Sequence, residues 1–181
     1  MAQPTPRYQT WLNMLVLISF GWAAILIELA PLDGLASALP SPDILFCVAA
    51  CLVLRRPAAT PAMIVSVLGI ARDLMGGGPA GLGALVLLAT IEVLRFYGPT
   101  IIRRGLVAEI FAIAALSAIM AAVQVVMLTI TLTPTPPLDQ LGTGVAMTIA
   151  AYLLTLLIFR VILRVRAEAD EGTKLSGRIV R

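Results

Sequence analysis

Long apolar runs, separated by short segments rich in proline, glycine and charge, fill the chain from Trp11 to Leu163. A helix crossing a hydrocarbon core of about 30 Å needs about 20 apolar residues. Trp11–Ala30, Gly105–Thr133 and Leu141–Leu163 reach that length unaided. Ile44–Leu54, Pro61–Leu74 and Gly81–Leu94 are equally apolar but short. The first extends back to Leu35 only through Pro40, Pro42 and Asp43, and proline removes a backbone donor and breaks or kinks a helix. The pattern predicts a broken or tilted second helix, shielded from lipid by its neighbours.

Read as re-entrant hairpins, the short segments would leave Arg55 and Arg56 near mid-membrane, at about 2.5–3.5 kcal/mol for each arginine. Six crossings avoid that cost. The expected spans are about 11–30, 35–54, 60–75, 81–96, 105–133 and 141–163, forming one membrane domain over 1–166 with a cytoplasmic tail at 167–181. Three turns separate them on their own chemistry: LRRPAATP, the glycine run Gly76 to Gly81, and a loop in which Pro134, Pro136 and Pro137 stop the helix.

Charge then sets an orientation. Of 13 Lys and Arg residues, all but Arg72 fall at the N-terminus, in two alternate loops (Arg55 and Arg56; Arg95, Arg103 and Arg104) or at the C-terminal end. The intervening loops carry Asp33, Asp43 and Asp139 without Lys or Arg. Basic segments mark cytoplasmic loops, so both termini are expected in the cytoplasm and the chain in a bacterial inner membrane. At 60% hydrophobic and 13% charged over 181 residues, the composition lies far from that of a soluble domain. The first span is expected to be retained, being too long for a signal-peptide core. The net charge of +3 is expected to meet lipid headgroups rather than nucleic acid.

Little in the sequence points to catalysis. There is no histidine, which removes imidazole relays and most zinc sites. Cys47 and Cys51 share one face of an apolar helix and are read as packing residues. The run from Gly69 through Arg72-Asp73 to Gly77 and Gly81 is the most pointed feature. Residues i and i+1 do not face each other on a helix, so Arg72 and Asp73 should find different partners: a carboxylate or headgroup for the arginine, backbone donors or a basic group for the aspartate. The glycines are not a phosphate loop, because Leu82 and Gly83 follow where Lys and Ser or Thr are required. Asp73 stands alone on its helix, which does not fit a metal-dependent phosphotransferase. Glu92 lies within i, i+3 reach of Arg95, Glu109 is expected near Arg103 and Arg104, and Glu28 at a wet span end. No catalytic, cofactor or metal site is therefore assigned. Two small-residue stripes, Ala114/Ala118/Ala122 and Gly142/Ala146/Ala150, mark places where helix backbones can approach; packing inside the bundle is preferred to partner docking. On that reading Gly81→Val or Ala118→Leu weakens folding or assembly, and Cys47→Ala is nearly silent.

The order of these features resembles the MreD family, the small membrane subunit of the bacterial rod-shape machinery. The likeness covers roughly Trp11 to Arg166. It rests on PDILFCVAACLVLRRP opening the second span, on Asp73 followed by Gly77 and Gly81, on GLGALVLLATIEVLR as the fourth span, and on a final span ending in Arg160, Arg164 and Arg166. Arg72 beside Asp73 and the triple glycine depart from the family pattern. The resemblance implies a six-helix transmembrane bundle similar to the substrate-binding subunits of energy-coupling-factor transporters. It further implies a non-catalytic scaffold that binds MreC and supports peptidoglycan synthesis and cell shape. Its implied partners are the elongation synthase, a glycosyltransferase with a penicillin-binding transpeptidase, and, indirectly, the MreB filament. Arg72, Asp73, Gly77 and Gly81 are then fold and packing residues. The competing expectation is a vitamin-type binding subunit of an energy-coupling-factor transporter, which needs a pocket with convergent polar or aromatic groups. Ser41, Asp43 and the outer-loop residues Asp33, Thr135 and Asp139 are the groups available to line it.

Overall fold

The computed structural model describes residues 7–29, 41–76, 81–130 and 138–161, all of the regular structure being helical. Six α-helices follow in order: α1 Arg7–Leu29, α2 Ile44–Arg55, α3 Ala62–Gly76, α4 Leu82–Arg103, α5 Leu106–Ile130 and α6 Leu138–Val161, with a 3₁₀ turn at Pro57–Ala59. Three stretches are long and apolar enough to cross a membrane: Leu82–Arg103, Leu106–Ile130 and Gln140–Phe159. The loop at 131–137, the tail, Gly77, Asp33 and the start of the second span at 35–40 lie outside the described residues.

Local chemistry fixes the helix ends. Pro42 and Asp43 precede α2, and the Asp43 carboxylate accepts from the Phe46 amide at 2.9 Å, satisfying one of the orphan donors of the first turn. Pro57 stops α2 after Arg55-Arg56, and Pro61 restarts the chain as α3. Gly81 opens α4 with a φ of 89°, a left-handed conformation that glycine adopts without a Cβ penalty. Gly105, at φ 92°, turns the chain from α4 into α5. Several boundaries differ from expectation: α1 begins at Arg7 and α6 at Leu138, a few residues early, and α2 begins only at Ile44, with 41–43 outside the helix. α4 does not end near 96 but runs through Pro99 to Arg103. The charges at Glu92 and Arg95 mark where the apolar run ends, not where the helix ends, and the single donor lost at Pro99 does not stop it.

α2 is the axis of the fold. At 12 residues it is about 18 Å long, and every residue from Leu45 to Arg55 is buried. α1, α4 and α6 pack directly against it. Around it α1 meets α3, α3 meets α4, α4 meets α5 and α5 meets α6. The Phe20 and Phe159 rings, 5.4 Å apart, close the circle between α1 and α6. This explains how a helix too short to span can be apolar from Ile44 to Leu54: protein, not lipid, surrounds it. α3 and α4 approach backbone to backbone, since a Cβ on Gly69 would lie 2.8 Å from the Ala84 Cα.

The outer surface is apolar as well. Trp11, Met63, Leu85, Phe96, Val107 and Phe111 are each at least two-thirds exposed, far beyond what a water-soluble monomer tolerates. On α5 the buried residues are Glu109, Ile113, Ser117 and Met120, a single helical stripe.

Candidate functional site

Two polar clusters lie at opposite ends of α2. At its N-terminus, Glu28 reaches over from the last turn of α1. Its Oε1 accepts from the Ile44 amide at 2.8 Å and the Leu45 amide at 3.2 Å, supplying an acceptor to the orphan donors of the first turn of α2. Arg72 of α3 bridges the two nearby carboxylates. Its Nε is 3.3 Å from Glu28 Oε2, and its terminal nitrogen 2.9 Å from Asp43 Oδ1. The Asp43 amide donates to the Thr148 hydroxyl of α6 at 3.2 Å, and that hydroxyl donates to the Gly144 carbonyl at 2.9 Å. Four helices thus meet in one network.

A cavity of about 280 Å³ lies against this network. Its lining includes Glu28, Asp43 and Arg72, Ser117 and Gln124 of α5, and Gln140 and Thr148 of α6. Among these lining residues Phe46, Met120, Ser117 and Thr148 are buried, while Ser41 and Gln140 are exposed.

At the other end of α2, Arg55 is buried and donates to Glu109 Oε1 of α5 at 2.8 Å. The Tyr152 hydroxyl of α6 donates to the same oxygen. This corrects two expectations. Arg55 is not a surface loop residue, and Glu109 pairs with it rather than with Arg103 or Arg104. A neutralising partner and a phenol make burial of the guanidinium tolerable. Nearby, Arg95 donates to the Thr60 carbonyl and lies 3.4 Å from Glu92, the i, i+3 pair expected from the sequence.

Arg72 and Asp73 do part ways. Arg72 takes carboxylates, while Asp73 Oδ2 accepts from the Gly81 amide at 3.1 Å and the Ala84 amide at 3.0 Å. Asp73 therefore caps α4 from across the turn. Gly83 is required beside it, because a Cβ there would collide with the Asp73 carboxylate. Gly81 is the left-handed cap residue of α4. Glu28, expected in water, is instead held within the network with its side chain only 9% exposed.

The small-residue stripes face away from the core. Ala118, Ala122, Gly142, Ala146 and Ala150 are exposed and Ala114 is half-buried; nothing lies within 4 Å of a Cβ placed on Gly142. On α6 the buried face instead carries Thr148, Tyr152, Thr155, Leu156 and Phe159. The signal for the inner faces was polarity, not size: lipid disfavours a carboxylate or hydroxyl, so Glu109 with Ser117 and Thr148 with Thr155 mark the sides turned inward. Glu28, Arg55, Thr148 and Tyr152 were missed as cluster members because their partners are distant in sequence.

Cys47 and Cys51 are both buried, and the Cys47 thiol donates to the Thr148 carbonyl at 3.3 Å. Among the described residues, no three His, Cys, Asp or Glu side chains converge as metal ligands. No family model, no curated protein and no solved structure matches the chain.

Proposed function

We propose that the chain is a six-span, non-catalytic scaffold subunit of the bacterial rod-shape and cell-elongation complex, of the MreD type. It binds MreC, and through it supports the elongation peptidoglycan synthase and, indirectly, the MreB filament. In this reading the Arg55–Glu109 end faces the cytoplasm of an inner-membrane protein with both termini inside, and the cavity end faces the periplasm. The supporting observation is how polar and small residues divide between inside and outside. Inside, Glu28, Asp43, Arg72, Arg55 and Glu109 are engaged with one another and with helix ends. Outside, α5 and α6 present the Ala118/Ala122 and Gly142/Ala146/Ala150 stripes, where another transmembrane helix can approach closely.

The test is affinity purification of the tagged protein in mild detergent from its own membranes, with mass spectrometry of the co-purifying chains. Near-stoichiometric MreC and synthase subunits support the scaffold. An ATP-binding-cassette pair with a coupling membrane subunit would replace it with the second reading, a vitamin-type binding subunit of an energy-coupling-factor transporter. One observation favours that second reading: the 280 Å³ cavity, which places Ser41 and Asp43 beside polar groups from α1, α3, α5 and α6.

A further inference from the structure

The Arg55 end of the bundle carries more positive charge than its carboxylates can meet. Arg55, Arg56, Arg95, Arg103 and Arg104 lie there with Glu92 and Glu109. Glu109 is taken by Arg55 and the Tyr152 hydroxyl, and Glu92 by Arg95. Among the described residues, no carboxylate is left within ion-pair distance of Arg56, Arg103 or Arg104. Arg56 is the sharpest case. Its Nε is enclosed without an acceptor, and its guanidinium makes no hydrogen bond to a described residue. A buried donor left unmatched is uncommon, so the charge of Arg56 is met only from outside these residues. The position of Arg56 is nonetheless set: it opens the 3₁₀ turn, and Arg95 of α4 holds that turn by donating to the Thr60 carbonyl.

α2 and α4 start at the same end of the bundle, beside Arg72 and Asp73, and run in the same direction. Gly98 of α4 lies level with Leu54, whose side chain a Cβ would meet at 3.3 Å. At about 1.5 Å per residue from that contact, Arg104 falls about one turn beyond Arg56 along the axis. Arg103 and Arg104 are both exposed. Earlier on α4, Phe96 and Tyr97 are exposed with their rings 5.0 Å apart, and aromatic residues of this kind gather where a span meets the headgroups. Directly after the arginines, Leu106 and Val107 are exposed and apolar. A basic cluster bordered by apolar side chains fits an amphiphile better than a soluble anion.

We infer that this end of the bundle binds the headgroup of an anionic phospholipid, with Arg56, Arg103 and Arg104 meeting its phosphodiester. Arginine suits that group because its N–H fork matches two phosphate oxygens. A zwitterionic lipid offers the same phosphate already balanced by its own cation, and leaves the arginine surplus standing. The depth of this end rests on the six-span reading; the site does not depend on which partner or ligand the bundle serves.

The test is native mass spectrometry of the purified full chain in detergent, with phosphatidylglycerol and phosphatidylcholine of identical acyl chains added together. The wild type should retain phosphatidylglycerol with roughly tenfold or greater preference. Arg56→Gln and the double variant Arg103→Gln/Arg104→Gln should each lower that preference by about fivefold or more. The double variant changes only exposed side chains and keeps the test open if Arg56→Gln fails to fold. Gln140→Glu, on an exposed residue at the cavity end, makes the net charge less positive without touching the arginines and should leave the preference unchanged. Equal retention of the two lipids by the wild type overturns the inference. So does a preference that survives in both arginine variants, or one that Gln140→Glu reduces as much as they do. Maleimide labelling of Arg104→Cys in inside-out vesicles reads the depth of this end separately, so a wrong topology and a wrong site give different results.

Discussion

Removing the acceptor at the Arg55 end gives the sharpest test of how the bundle is held. Glu109 Oε1 receives both the Arg55 guanidinium, at 2.8 Å, and the Tyr152 hydroxyl. The side chains of Arg55 and Glu109 are 5% and 6% exposed, so water cannot replace what is lost. Glu109→Leu leaves a buried positive charge and a buried hydroxyl without their acceptor. Breaking a buried pair in this way costs about 3–5 kcal/mol. Replacing the whole group is different in kind. In Arg55→Met/Glu109→Leu/Tyr152→Phe no polar atom remains to be orphaned, and apolar substitution of a buried pair is often neutral; the triple variant should lie within about 1–2 kcal/mol of wild type. Unfolding by dodecyl sulfate titration in mixed micelles, followed by circular dichroism, measures both. A single variant within about 1 kcal/mol of wild type, or a triple variant no better than the single, would refute the claim that these groups stabilise the bundle only as a unit.

Other outcomes follow from the same packing. Asp73→Ala removes the acceptor of the Gly81 and Ala84 amides and should cost about 1 kcal/mol in the same titration. Gly69→Val forces α3 off the Ala84 backbone and should destabilise by about 1–3 kcal/mol, whereas Gly142→Ala, with open space around it, should melt like wild type or slightly higher. Ala118→Leu and Ala146→Leu sit on the exterior and should leave unfolding within about 0.5 kcal/mol of wild type. If the scaffold reading holds, one of them should still reduce MreC recovery in the affinity purification.

Much of the fold was legible because lipid-facing sequence has few solutions. Apolar runs and proline breaks placed the helices, and the shielding expected of the second one is seen as the burial of Leu45 to Arg55. The separate fates of Arg72 and Asp73 followed from helix geometry, as did the Glu92–Arg95 pair. The orientation of α5 and α6 was not legible from their alanines, since small residues suit an inner seam and an outer contact equally well. The cavity was hidden for another reason: Glu28, Arg72 and Thr148 come from three helices, and one sequence without contacts offers no rule for bringing them together.

The central position of α2 has a consequence for biogenesis. A nascent chain delivers α2 to the membrane when α1 is its only partner, while α4 and α6, which complete its enclosure, are still to be made. Until α6 emerges, Asp43 lacks the Thr148 hydroxyl and Arg55 lacks Tyr152. A helix of 12 residues ending in an arginine has no stable resting place alone in lipid. On the six-span reading, insertion of the second helix is therefore provisional until the last helix has been made.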